Sequence, residues 1–226
     1  MKSNLPNDTS PFSFEEVVPE PEIKWRETLR VFCQNRMALL GLILVTIFIF
    51  VGLFGSFIFP ADPFEMVATP LSEPGAGVIF GSDYMGRDVF IGIIYGTRPT
   101  LVIATIATLV TVLIGITLGA VAGFYGGIID NILMRITEFF QVLPPLVFTM
   151  VIVAVFSTDI VVVILAIAIT TWTPEARLTR AEFLKIKERE YVMSARAIGA
   201  KNIRLITKVI LPNAMPPLII AITLRV

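Results

Sequence analysis

The chain has 226 residues, 18 basic and 18 acidic, so its formal net charge is zero and it offers no basic field to nucleic acid. Apolar residues make up 55% and charged residues 16%, against roughly 45–50% and about 25% in a soluble domain, which points to a membrane protein. Histidine is absent, which excludes imidazole general-base catalysis, Ser-His-Asp and Cys-His nucleophiles and histidine-ligated metals.

Residues 1–23 hold Pro6, Pro11, Pro19 and Pro21 together with Glu15, Glu16, Glu20 and Glu22, and read as a disordered cytoplasmic tail. Residues 24–59 contain the first span. Met37 to Phe59 is 23 residues without a charge, preceded by Lys24, Arg26, Arg30 and Arg36 and stopped by Pro60. The run is too long and too far from the N-terminus for a signal peptide, and it lacks a small-residue cleavage site. Residues 60–98 form a loop. A second uncharged span runs from Pro99 to Gly123. The third begins near Ile128, is amphipathic through Asp130, Arg135 and Glu138, and is wholly apolar from Val142 to Phe156. Ser157-Thr158-Asp159 separates it from a short fourth span, Ile160 to Trp172, which is expected to continue past Thr173. A fifth runs from about Val209 to Val226.

Basic residues in the loops set the orientation. Residues 174–208 carry nine basic and four acidic residues, whereas 60–98 carry two basic and five acidic. The 174–208 loop therefore faces the cytoplasm and 60–98 faces out, and the four crossings that separate the N-terminus from the 174–208 loop put the N-terminus inside. Within the second span, Gly115, Gly119 and Gly123 recur every four residues, with Ala104, Thr108 and Thr111 near the same face. Without a hydrophobic drive between helices in lipid, such small residues predict a tightly packed helix pair. Pro144-Pro145 predicts a kink in the third span, which calls for other groups to satisfy the freed carbonyls. Arg135 and Glu138, three apart, share a face and can pair. Their role is open between a structural pair at the interface and part of a pathway or gate.

The 174–208 loop carries the most information. Thr173-Pro174-Glu175 reads as a helix start, with threonine as the cap, proline at the first position and an acid in the first turn. The helix it opens is expected to project from the membrane. Tyr191 to Ala200 then form a short helix with small residues at 194, 195, 197, 199 and 200. Gly199 suits the left-handed residue that ends such a helix. Asn202 is expected to cap the next one, leading to Leu211-Pro212. The product is a cytoplasmic helix–turn–helix with a bare face that another protein can approach, and no catalytic chemistry.

These residues resemble a family. Met193, Ser194, Ala195, Gly199, Val209, Leu211 and Pro212 match the spacing of the E-A-A-x3-G-x9-I-x-L-P motif of bacterial ATP-binding-cassette importer permeases, although Met193 and Ser194 replace its opening glutamate and first alanine. Gly81, Asp83, Gly86, Arg87 and Asp88, followed by Tyr95, Gly96, Arg98 and Thr100-Leu101, resemble the signature before the second helix of the C-type permease subunit of dipeptide, oligopeptide and nickel importers. Ile91-Gly92 stand where a Ser-Arg pair is common. Trp25, Asn35-Arg36, Gly41 and the Arg135, Glu138, Pro144 run also fit, so the resemblance covers about residues 24–226.

The resemblance implies an all-α polytopic bundle of the type I importer permease fold, with residues 99–226 as the permease core. About five spans are legible where the family usually has six, so the chain is expected to fall short of a full functional subunit. It also implies a multi-pass inner-membrane subunit working with a homologous second permease, two ATP-binding subunits that hold ATP and Mg, and an extracytoplasmic substrate-binding protein. Tyr191, Met193, Ser194, Ala195, Arg196, Gly199, Ala200, Asn202, Leu211 and Pro212 would form the surface coupled to the ATPase. Peptide is the default substrate, nickel or another solute the alternative. No catalytic residue, metal site or resident cofactor is expected. The single cysteine, Cys33, can neither form an intramolecular disulfide nor hold a metal alone, and no Gly-Lys of a P-loop occurs.

An ion-coupled secondary transporter would carry ionisable residues at mid-membrane, and the first, second and fourth spans carry none. A membrane enzyme would need a constellation such as facing acids, whereas Asp130 and Glu138 are eight apart with Arg135 between them. A passive scaffold leaves the small-residue helix–turn–helix unexplained.

Overall fold

The computed structural model describes residues 25–75 and 77–224. The tail at 1–23 therefore lies outside the described residues, as do Lys24 and the terminal Arg225 and Val226. Backbone proximity divides the chain into two units, Met1–Phe48 and Ile49–Val226. In the first unit, α1 (Trp25–Gln34) precedes the start of α2 (Arg36–Ile58). Asn35 separates them. Its side-chain oxygen accepts from the Met37 and Ala38 amides at 3.0 and 3.3 Å, a side-chain cap on α2.

The second unit opens with the rest of α2. Gly52 and Gly55 are its buried positions, and a Cβ on Gly55 would lie 2.6 Å from Ile94. A network of turns follows. Asp83 accepts from the Arg87 and Met85 amides at 2.9 and 2.8 Å, and isolated bridges join Met66 to Arg87 and Ser82 to Asp88. Apart from such bridges the described residues are helices, turns and loops.

The second span starts ten residues earlier than hydropathy places it. α3 runs Val89–Tyr125, 37 residues, with Pro99 inside it. The start is local chemistry: Asp88 caps the helix, accepting from Phe90 and Ile91 at 2.8 and 3.4 Å. The loop thus ends at residue 88, and Gly96 and Arg98 are helical.

Next come α4 (Gly127–Val142) and α5 (Pro145–Phe156), meeting at 85° across Leu143-Pro144. The expected kink is thus a full break. α6 (Ile160–Thr171) and α7 (Thr173–Ile186) are bent by 46° at Trp172. Thr173 is a correction, since it lies inside α7 and makes no capping bond, with Trp172 in helical conformation at the boundary. α7 does not project freely either; it lies along α3. After α8 (Glu190–Ala197), the last helical stretch comprises α9 (Asn202–Arg204), a π-helical turn (Leu205–Ile210) and α10 (Leu211–Thr223). It begins seven residues before the expected Val209. Asn202 is helical and Lys201 precedes it in extended conformation, so Asn202 is no cap.

Among the described residues three helices are long and apolar enough to span a membrane, or up to five spans if each bent pair counts as one. The broad apolar exposure of α2, where Leu40, Ile47 and Leu53 lie open, is what lipid-facing helices require.

Candidate functional site

The C-terminal end of α3 organises the site. A Cβ on Gly115 would lie 2.5 Å from the Glu175 Cβ, one on Gly119 2.3 Å from the Ala176 oxygen, and one on Gly123 2.6 Å from the Phe183 Cβ. The glycine stripe thus admits the backbone of α7 into contact, the helix pair its spacing predicts. Its upward continuation is Thr111 and Ala107, both buried, whereas Ala104 is exposed.

Polar bonds fasten α7 to α4 as well as to α3. Arg180 on α7 donates Nε and Nη2 to the Asp130 carboxylate on α4 at 2.5 and 2.6 Å, a two-point contact that fits the planar guanidinium. Lys187 donates to the Gly123 carbonyl at 3.0 Å, close to the C-terminus of α3 where a cation is favoured. The Arg196 guanidinium lies 5.8 Å from the centre of the Phe124 ring. Arg180 and Lys187, counted only as loop charge, and Arg196, assigned to the coupled surface, are therefore fasteners. Asp130, one of the charges that make the start of the third span amphipathic, is the anchor of Arg180.

Beneath them lies a core of Phe124, Phe183, Ile186, Val192, Leu205 and Ile210 with Ala214 and Leu218. Val192 is fully buried and pins α8, while Ala195, Ala200 and Leu211 pack at the edge. The helix then ends as expected. Gly199 takes φ +87°, the Ala200 amide donates to the Ala195 carbonyl at 3.1 Å and the Gly199 amide to Arg196 at 3.0 Å. This pair of bonds is the Schellman closure. With Val192 facing in, Tyr191, Met193, Ser194 and Ile198 face out, and Ile198 is 86% exposed. Tyr191, Met193, Ser194, Ala195, Arg196, Gly199 and Ala200 are thus one compact element. Asn202 opens the following helix, and Leu211 supports the core from farther along it. Pro212 is exposed; ahead of it the ladder slips to a π turn, with the Leu211 amide reaching Ile206.

Arg135 and Glu138 pair at 3.1 Å on an open face of α4, with side chains 85% and 59% exposed. They line a cleft of about 360 Å³ with Arg177 and Arg180 and sit apart from Pro144, which belongs to the α4–α5 break. At the other end of α3, Gly81, Asp83, Gly86, Arg87 and Asp88 form one turn cluster. Gly86 has φ +80°, and a Cβ there would lie 2.3 Å from the Ala68 oxygen, so only glycine fits. Arg87 reaches Asp83 at 3.9 Å, contacts Met85 Sδ and lies over the Phe64 ring at 5.6 Å. The Arg87 amide, bonded to the Asp83 carboxylate, is the main reason its pKa falls below the ordinary 3.8. Gly96 and Arg98 stand beyond this cluster, exposed in the first turns of α3.

Residues 115–226 match the family described as "Binding-protein-dependent transport system inner membrane component", and residues 24–73 match "N-terminal TM domain of oligopeptide transport permease C". The chain is 36% identical to the dipeptide transport system permease protein DppC of Haemophilus influenzae, over 91% of this chain and 72% of that protein. It is 35% identical to the DppC of Bacillus subtilis, over 92% of this chain and 66% of that protein. It is 32% identical to the oligopeptide transport system permease protein OppC of Bacillus subtilis, over 89% and 67%. The chain thus spans about two thirds of the length of such relatives. With both motif regions folded as discrete elements on a multi-pass, all-α frame, the chain belongs to the binding-protein-dependent transport inner-membrane components, in their branch of C-type peptide permeases.

Proposed function

We propose that this chain is a membrane subunit of a peptide importer, and that Tyr191 to Asn202 is the surface through which ATP-binding partners move it. One observation carries the reading: α8 is pinned from within by Val192 and through Arg196, while Tyr191, Met193 and Ile198 face away from the fold. Apolar side chains fixed on a rigid turn are what a fitted protein interface uses. Movement of the turn would reach the bundle through α7, which is fastened to α3 by the glycine stripe and to α4 by Arg180. ATP and Mg would sit on two ATP-binding subunits, a homologous permease would complete the pathway, and an extracytoplasmic binding protein would deliver substrate. The names of the relatives support dipeptides or oligopeptides as that substrate.

The test is uptake of L-alanyl-L-alanine by the reconstituted complex. Ala195→Glu places a charge at the edge of the turn and is expected to weaken recovery of the ATP-binding subunits with the permease. Gly199→Val is expected to abolish uptake while the binding protein still captures dipeptide. Full uptake and full substrate-stimulated ATPase activity in Gly199→Val would overturn the coupling role.

A further inference from the structure

Beside the Arg180–Asp130 contact, α4 and α7 leave the cleft of about 360 Å³, a size within the range of small-molecule sites. Asn131, Met134, Arg135 and Glu138 line it from one face of α4, at spacings of three and four, and Arg177 and Arg180 from one face of α7. Three arginines thus oppose Glu138 and, bonded to Arg180, Asp130, which leaves one net positive charge. The three guanidinium groups are unequally engaged. Arg180 commits Nε and Nη2 to Asp130, and Arg135 donates one bond to Glu138. Arg177 is exposed and makes no hydrogen bond or ion pair among the described residues. A guanidinium with free donors, beside others already oriented, suits the geometry of a phosphate.

The surroundings suit a phosphate that carries acyl chains. Ile128, Ile132, Phe139 and Val142, each three or four residues from a lining position on α4, are all exposed and offer an apolar surface beside the cleft. Depth in the bilayer agrees. The 37 residues of α3 exceed the about 30 Å of a hydrocarbon core. The end of α3, and the opening turns of α4 that follow it, therefore reach into the headgroup layer. Basic pockets between membrane helices hold anionic headgroups in this way.

We propose that the α4–α7 cleft binds the phosphodiester headgroup of an anionic phospholipid, with Arg177 as its main ligand, Arg135 and the Asn131 amide beside it, and the Arg180–Asp130 pair as its floor. The bound lipid braces α4 against α7, the helix that joins the glycine stripe to the turn at Gly199. Glu138 competes with the phosphate for Arg135, so variants on the two sides of that pair act in opposite directions.

The experiment is native mass spectrometry of the intact complex, purified in detergent and titrated with dioleoyl phosphatidylglycerol or dioleoyl phosphatidylethanolamine. The wild type is expected to prefer phosphatidylglycerol, because the ammonium of the other lipid cancels the phosphate charge. Arg177→Gln is expected to weaken phosphatidylglycerol binding about tenfold, as loss of a charge-assisted hydrogen bond implies, and Arg177→Lys to retain part of it. Glu138→Gln is expected to tighten the binding, an effect that damage to the fold does not produce. Lys185→Gln removes an equal charge from an exposed position on α7 outside the cleft, and is expected to leave the binding unchanged. Equal affinities in the wild type and Arg177→Gln, or a loss as large in Lys185→Gln, would overturn the site. Displacement of the lipid by equimolar sn-glycerol 3-phosphate would assign the cleft to soluble phosphates instead. Efficient cross-linking of Arg177→Cys to another subunit, in a Cys33→Ser background, would assign it to a protein interface. Either result would overturn the lipid site.

Discussion

Two glycines of the α3–α7–α8 assembly are constrained for opposite reasons. Gly119 has ordinary helical conformation but no room, since an added Cβ would lie 2.3 Å from a backbone oxygen of α7. Gly199 has room, with nothing within 4 Å of an added Cβ, but holds φ +87°. Gly119→Val is therefore expected to cost about 1–3 kcal/mol or more through overpacking, and to lower the melting temperature in detergent by several degrees. Gly199→Val costs about 1–2 kcal/mol of left-handed strain, so its protein is expected to fold while uptake fails. Equal melting temperatures for the two variants would contradict this division. Asp83 makes a different prediction. Its folded pKa lies below 3.8, so the stability it contributes is present above that value and is lost only as pH falls through the lower, folded one. Hydrogen exchange at the Arg87 amide is expected to stay slow on acidification to pH 3.8 and to quicken only below it. Loss of protection already at pH 5 would contradict the assignment.

The α3–α7 contact shows what linear reading can and cannot recover at the scale of elements. The glycine spacing announces a close helix neighbour, but the neighbour lies some sixty residues on, in a stretch whose charges suggest a loop in water. Arg180 and Lys187 enter the positive-inside count like any other cation, and nothing in their local sequence marks the oxygen each one meets. The Asp130–Arg180 pair, fifty residues apart, becomes visible only once α4 and α7 lie side by side. The start of α3 was missed for another reason: Arg98 and Pro99 look like a loop end to a hydropathy window, yet the Asp88 cap begins the helix well before the apolar stretch. The turn around Gly199 was legible because its chemistry is local. The ion pair can be tested by a double-mutant cycle. Asp130→Asn or Arg180→Met alone is expected to cost about 3 kcal/mol, since each strands a partly buried charge. The double variant is expected to lose clearly less than the sum. Simple additivity in chemical unfolding would mean that the pair contributes nothing beyond its separate residues.

At the scale of the whole molecule, two motif regions occupy opposite ends of α3: the turn cluster at Gly81–Asp88 ahead of its start and the α7–α8 assembly against its finish. With the N-terminus inside, as the distribution of basic residues supports, a cysteine introduced at the exposed Tyr84 in a Cys33→Ser background is expected to react with an impermeant maleimide in intact cells. One introduced at Ser194 is expected to react only after permeabilisation. The reverse pattern would invert the proposed orientation and remove the docking surface from the cytoplasm. The length of α3 has a mechanical consequence. Its 37 residues, at 1.5 Å each, make an arm of roughly 55 Å. Clamped at one end by the glycine stripe, that arm has its fulcrum on the same side as the turn that would receive the push. A tilt of about ten degrees around it would sweep the Asp88 end through roughly 9 Å, enough to shift the outer turns by about two strand spacings. The gearing favours reach over force: a slight movement at the inner surface would become a large excursion outside, with no need for α3 itself to bend.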